Sequence, residues 1–218
     1  MASRRIHLVR HGEVFNPDGV LYGRLPGYRL SDRGRTMART AAQAVVASER
    51  PVAALYASPL QRAQESAAPF VDAFGLPLHT DERLIEAGNE YEGTTRKPGL
   101  HLLRYPSEWR RIHNPFRPSW GEPYREIAER MTAVMRDAWR AEQERGGEGD
   151  IVMVSHQSPI WLAHRRVAGE PLFHNPALRR AALSSITSFE YDPAADRLVE
   201  VDYQDPAADV PRIDEGAV

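Results

Sequence analysis

Three short stretches hold the residues best able to do chemistry: Arg10-His11-Gly12-Glu13, Ser58 with Arg62, and Ser155-His156. Each follows an apolar run, at residues 6–9, 53–56 and 151–154. A guanidinium keeps its charge and presents a fork of donors that matches phosphate oxygens. A neutral imidazole is a nucleophile, and one facing phosphorus replaces a single hard displacement by two easier ones through a covalent intermediate. If the three stretches meet, Arg10, Arg62, His11 and His156 surround one point. That is an anion site, and phosphate fits it best. The arginines and the second histidine would stabilise charge on the equatorial oxygens, the largest effect expected in phosphoryl transfer. Taken singly, either histidine reads as a core residue bonded to backbone; the joint occurrence with two arginines argues otherwise.

Such a meeting needs elements that bring the stretches together. The three apolar runs read as buried strands, and the ends of parallel strands share one edge, where open α/β sheets bind ligands. Gly12 is expected to let the backbone come close to a bound group. Ser31 caps a helix running to about Ser48, with Met37, Ala41, Ala44 and Val45 on its buried face. Ser58 as cap and Pro59 at the first helical position open a second helix, which ends at Gly75 and places Arg62 in or just after its first turn. Residues 76–79 form a short edge strand at best. Gly121-Glu122-Pro123 opens a long amphipathic helix to about Glu144, with Ile127, Met131, Val134, Met135 and Ala138 as its core stripe. A further helix covers 160–167, and 186–191 with 198–201 form an antiparallel pair at the sheet edge. Residues 1–203 are expected to form one catalytic domain. Residues 94–121 form a cap-like insertion, and the polar tail 204–218 is expected to be disordered.

Composition narrows the possibilities. The 218 residues are 42% hydrophobic and 27% charged, the profile of an ordinary globular chain. A formal net charge of −2 gives no reason to expect nucleic-acid binding. There is no cysteine, hence no disulfide framework and no thiolate chemistry. No apolar run is long enough to span a membrane, and the one near the start is too short for a signal peptide, so a cytoplasmic location is expected. His79, His101, His113, His164 and His174 show no metal-ligand spacing.

In order and spacing, the motifs resemble the histidine phosphatase superfamily, the phosphoglycerate-mutase-like proteins. Arg10-His11-Gly12-Glu13 resembles its nucleophile signature, and Tyr22-Gly23-Arg24 with Leu30-Ser31-Asp32-Arg33-Gly34 its Gly-Arg and Leu-Ser stretch. Ser58-Pro59-Leu60-Gln61-Arg62-Ala63 is similar to its second arginine motif. Leu84-Ile85-Glu86 to Glu92-Gly93 is similar to the segment carrying its acid. Gly121-Glu122 resembles the start of its long helix, and Val154-Ser155-His156 its second histidine motif. The resemblance implies a three-layer α/β/α sandwich with a mostly parallel sheet. It implies a phosphorylated nucleophile at His11, a phosphate pocket of Arg10, Arg62 and His156, a proton donor at Glu86, and no metal or other cofactor. Asn16 is carried over as a phosphate contact, although it stands five residues after His11 where the family's Asn usually stands six after. Val14 replaces the family's common Ser or Thr, and the stretch from Glu86 to Gly93 is one residue short, which makes Glu90 the substitute acid.

The expected activity is therefore metal-independent hydrolysis of a small phosphorylated metabolite through a phosphohistidine. The alternatives are a cofactor-dependent phosphoglycerate mutase and a catalytically weak domain that binds a phosphorylated ligand. Arg24 reads equally well as a pocket residue and as one half of a surface ion pair. Glu13 reads as a partner of site residues and not as the acid; His7, within the first strand, reads as structural, and Glu90 and Glu92 as solvated. Residues 94–121 carry six basic side chains, among them Arg104, Arg110 and Arg111, interleaved with four aromatics. That segment reads as a solvated surface over a small apolar core or as a lid that recognises substrate.

Overall fold

The computed structural model describes residues 3–95 and 121–211. Among these, β1 (Arg5–Arg10), β2 (Val52–Ala57), β3 (Leu78–Thr80), β4 (Asp150–Ser155), β5 (Ile186–Asp192) and β6 (Arg197–Gln204) form one sheet in the order β3-β2-β4-β1-β5-β6. The pairs β3–β2, β2–β4 and β4–β1 are parallel, while β1–β5 and β5–β6 are antiparallel. Among the described residues four α-helices cover it: α1 (Asp32–Ala47), α2 (Gln61–Phe74), α3 (Tyr124–Glu144) and α4 (Gln157–Val167).

Alternation along the strands explains the two helical layers. Val9, Leu55, Ala57, Val152 and Val154 pack on Ala41, Ala42 and Val45 of α1 and Ala63, Ala67 and Phe70 of α2. Ile6, Leu8, Ile151, Met153 and Phe189 face the other way, onto Met131, Val134 and Met135 of α3 and Ile160 and Ala163 of α4. The result is the expected three-layer α/β/α sandwich with a mostly parallel sheet. β1 and β4 are buried throughout apart from the first residue of β1, because helices lie on both faces.

Local chemistry sets the element ends. Ser31 Oγ accepts from the Gly34 N–H at 3.0 Å and caps α1, and Gly75, in the left-handed region at φ 65°, ends α2. Two starts differ from expectation. α2 begins at Gln61 with Leu60 as cap, so Ser58 is not the capping residue. α4 begins at Gln157, directly after His156, three residues earlier than the apolar pattern indicates.

At the amino edge of the sheet, Asp150 is buried. Its carboxylate accepts a forked pair from Arg50 at 2.6 and 2.8 Å and the Arg5 backbone N–H at 2.8 Å, and it lies 3.1 Å from His7 Nε2. Burial alone would raise its pKa; the Arg50 fork, His7 and Arg5 outweigh it and hold the group well below the usual carboxylate range. His7 Nδ1 meets Ser188 Oγ at 2.8 Å, so this histidine ties β1 to β4 and β5 far from the carboxyl edge.

The expectation of a disordered tail is corrected for its described part. Residues 205–211 turn back onto the molecule, and Ala207 is fully buried in a cluster with Met37 and Leu183. Among the described residues no helix is long and apolar enough to cross a membrane.

Candidate active site

The register places the chemistry. Arg10 of β1 pairs with Ser155 of β4, and Ala57 of β2 with Val154. The ladder runs one step further, since the His11 N–H donates to Ser155 O at 3.0 Å and the Ser58 N–H to Val154 O at 2.9 Å. His11, His156 and Ser58 therefore leave three adjacent strands at one level. Arg62, the second residue of α2, is carried to the same edge.

The four residues expected to converge do so. The His11 and His156 rings lie 5.1 Å apart between centroids, tilted by 58°. Arg62 Nε donates to His11 Nε2 at 3.3 Å, and its Nη2 to Gly23 O at 2.7 Å. Its guanidinium lies 4.7 Å from the centre of the Tyr22 ring. Arg10 Nη1 donates to Ala181 O at 2.7 Å. All four side chains are buried, none more than 1% exposed.

Hydrogen bonding sets the tautomer of His11. Its Nδ1 is 2.7 Å from Gly12 O, which can only accept, so Nδ1 carries the proton and Nε2 offers a lone pair. Burial first, then Arg62 and Arg10, push the His11 pKa well below its ordinary value, against the opposite pull of the Gly12 carbonyl. His156 is pushed down by burial and by Arg62, His11 and Arg10. Its Nε2 meets Ser58 Oγ at 2.7 Å, while its buried Nδ1 has no partner. Ser58 thus orients the second imidazole, a role its position as a supposed helix cap concealed.

A sign follows for stability. The unfolded chain takes up protons on these imidazoles near pH 6.5, and the folded chain does so only at much lower pH. Below 6.5 the unfolded state binds more protons, so stability falls with pH by about 1.4 kcal/mol per unit for each imidazole. Denaturant unfolding between pH 8 and pH 5 is expected to show this slope, and His156→Gln to remove its share. An identical slope in the variant would mean that His156 is charged in the folded protein.

Glu86 is 1% exposed. Its Oε1 accepts from the Ala87 N–H at 2.8 Å, and its buried Oε2 has no partner. The backbone around it is clamped: Arg24 Nε donates to Glu86 O at 2.7 Å, and Arg130 Nη1 to the Arg83 carbonyl at 2.5 Å. Glu122 holds both clamps, accepting from Arg24 Nη2 at 2.7 Å and from Arg130 Nε at 2.9 Å. Arg24 is thus a support for the Glu86 loop through an ion pair, and Arg130 is a second support that no motif marked. Glu90 is exposed. Glu92 is half-buried, accepting from the Asn89 N–H at 3.2 Å and packing where a Gly23 side chain would stand, so it is less solvated than expected.

Three further placements refine the expectations. Asn16 closes its own loop, donating to Val20 O at 2.9 Å and accepting from the Val20 N–H at 3.1 Å. A Cβ on Gly12 would stand 2.3 Å from Gly34 O, so the room at Gly12 is taken by the start of α1. Glu13 accepts from Ser31 Oγ at 2.7 Å and Arg33 Nε at 3.0 Å, joining the loop after His11 to that helix. Arg104, Arg110 and Arg111 lie outside the described residues. Among the described residues no three His, Cys, Asp or Glu side chains come together as metal ligands.

Imidazole and guanidinium groups at the carboxyl edge of a doubly covered, mostly parallel sheet define the class: a phosphoric monoester hydrolase of phosphoglycerate-mutase-like fold. The family model of the histidine phosphatase superfamily (branch 1) matches residues 6–204, and the chain belongs to that family. It is 48% identical over 204 residues to an uncharacterized protein of Mycobacterium tuberculosis, across 94% of this chain and 97% of that one. It is 28% identical over 191 residues to a glucosyl-3-phosphoglycerate phosphatase of Mycobacterium tuberculosis, across 82% and 81% of the two chains. The structure of a mycobacterial glucosyl-3-phosphoglycerate phosphatase with inorganic phosphate superimposes with a TM-score of 0.71 at 23% identity, over 92% of this chain and 96% of that chain.

Proposed function

We propose that the chain hydrolyses the phosphate monoester of a small metabolite through a phosphohistidine at His11, without a metal. The observation that carries this is the fixed tautomer of a neutral, buried His11, whose Nε2 lone pair faces the Arg62 guanidinium. The phosphoryl group sits among Arg10, Arg62 and His156, and a phosphate oxygen supplies the partner that His156 Nδ1 lacks. His11 Nε2 attacks phosphorus in line with the leaving oxygen. Glu86 Oε2 gives that oxygen its proton. Water then attacks the phosphohistidine with Glu86 as base, releasing phosphate and restoring the imidazole.

The phosphatase of Mycobacterium tuberculosis noted above is named for a phosphorylated glycerate, which supports a small phosphorylated substrate here. Residues 94–121 act as a cap. Both ends lie at the site, because Thr94 O accepts from the Leu21 N–H at 2.8 Å and Gly121 pairs with Asn89 in the Glu86 loop.

The deciding experiment is a panel of phosphate monoesters with phosphate release and phosphate transfer measured together, before and after exhaustive chelation. Release without transfer, unchanged by chelator, is expected. Transfer to a second hydroxyl would make the chain a mutase, no turnover would make it a binding domain, and activity restored by added Mg²⁺ would introduce a metal. On the same panel Arg104→Ala, Arg110→Ala and Arg111→Ala are expected to reorder substrate preference. An unchanged order in all three would make the cap purely structural.

A further inference from the structure

Two buried polar atoms without a hydrogen-bond partner, His156 Nδ1 and Glu86 Oε2, have a use in the proposed reaction. A third stands three residues past Glu86. Asn89 is 8% exposed, and its buried Nδ2 has no hydrogen-bond partner. The orientation of this amide is fixed. Its Oδ1 accepts from the Tyr91 N–H at 2.9 Å, and a backbone N–H can only donate. The oxygen therefore faces Tyr91, and the NH2 group points away from that turn.

The loop does not use this donor for its own structure. The Asn89 N–H donates to Glu92 Oε1 at 3.2 Å, and Asn89 O accepts from the Glu92 N–H at 3.2 Å. Gly88 O accepts from the Glu122 N–H at 3.1 Å, and Arg24 holds Glu86 O. With the Asn89 backbone and Oδ1 engaged, the NH2 group is what remains. A buried donor left unmade loses its hydration and gains nothing, so keeping one calls for an acceptor from outside the chain. The loop runs along the site. It starts at Glu86, and Glu92 near its end packs against Gly23, whose carbonyl accepts from Arg62 Nη2 at 2.7 Å. Asn89 therefore lies on the stretch between Glu86 and the anchor of Arg62, beside the part of a substrate that extends beyond its phosphate.

Charge narrows the acceptor. Glu86, Glu90 and Glu92 stand on both sides of Asn89 in the chain, and the Arg24 guanidinium beside Gly88 is taken by Glu122. A second anion on the substrate would be repelled there, whereas a hydroxyl or carbonyl oxygen accepts from an amide without bringing charge. We propose that Asn89 is a specificity-determining residue whose amide NH2 group binds an uncharged oxygen, hydroxyl or carbonyl, carried by the leaving group of the phosphate monoester. This rests on the phosphatase reading above.

Two pairs of probes isolate that oxygen. In 2-hydroxyethyl and n-propyl phosphate a hydroxyl is exchanged for a methyl, and in 2-oxopropyl and isobutyl phosphate a carbonyl oxygen is exchanged for a methyl. Each is measured as competitive inhibitor of p-nitrophenyl phosphate hydrolysis, so that it reports whether or not it is turned over. The wild type is expected to favour the oxygen-bearing member of both pairs by about tenfold in inhibition constant, the factor that 1.4 kcal/mol supplies. Asn89→Ala is expected to erase both preferences. Asn89→Asp keeps an acceptor for the Tyr91 N–H but has no donor for a carbonyl. Its added charge weakens both members of a pair, so the ratio within the carbonyl pair reads the lost NH2 group, and it is expected to fall to about one. A merely structural amide would lower the unfolding midpoint and weaken both members of each pair equally. That result, a preference surviving in Asn89→Ala, a carbonyl preference surviving in Asn89→Asp, or a wild type without preference in either pair overturns the proposal. If Asn89→Ala does not fold, Asn89→Asp decides. If neither folds, the amide is structural and the proposal is overturned as well. If the wild type hydrolyses nothing, p-nitrophenyl phosphate included, the phosphatase reading fails. Calorimetric binding of the same pairs then still measures the preference for the oxygen by itself.

Discussion

Replacing His11 by Ala is expected to remove at least about 10⁴-fold of the turnover, because a nucleophile acting as one unit with its stabilising groups leaves little behind when it goes. The fold should survive, since the backbone N–H of residue 11 still bonds Ser155 O and its carbonyl still accepts from the Ser184 N–H. In the wild type, brief reaction with labelled substrate should leave protein-bound phosphate that is labile in acid and stable in alkali, as a phosphoramidate is. The same treatment of His11→Ala should leave none. An unlabelled wild type during active turnover would remove His11 as nucleophile and leave direct attack by water.

The second large effect is expected at Glu86. An alkoxide leaves poorly, so an alkyl phosphate needs a proton as its P–O bond breaks, and a positioned acid contributes about 10²–10⁴-fold. Glu86→Gln should cost that much on alkyl phosphates and far less on p-nitrophenyl phosphate, whose leaving group needs little help, provided phosphorylation of His11 limits both. The buried Oε2 without a partner suits this role, and the exposed position of Glu90 does not. Glu90→Gln is the paired control. A leaving-group-dependent loss in Glu90→Gln and none in Glu86→Gln would reassign the acid, and a loss in neither would pass the role to water or His156.

The convergence at the carboxyl edge was legible because it rests on local signals. Three apolar runs were followed within a few residues by an arginine or a histidine, and parallel pairing then does the rest. Ser58 shows where such reading stops. A serine before a proline looks like a helix cap, and only the neighbouring strand reveals that its hydroxyl serves His156. Arg130 had no motif to mark it, since the carbonyls it holds, those of Arg83 and Glu86, stand 47 and 44 residues away in the chain. Periodicity found the apolar stripe on α3 but not the buried Ala128, Thr132 and Glu142 beside it, and it missed the first turn of α4, whose Gln157-Ser158 start is polar. The close approach at Gly12 was foreseen, but the structure fills it with Gly34. Asp150 escaped notice because a carboxylate at a strand start normally reads as solvated.

The match to the family ends at residue 204, and the packing does not. Ala207 closes over Met37 of α1 and Leu183, and Leu183 directly precedes Ser184 and Ser185, whose backbone bonds His11 O and the Arg10 N–H. A chain cut at the family boundary would leave Met37 and Leu183 facing water one residue from the segment that braces His11. The packed core therefore extends past the family boundary, through Ala207 and Val210, to the strand connection that holds the His11 backbone in place.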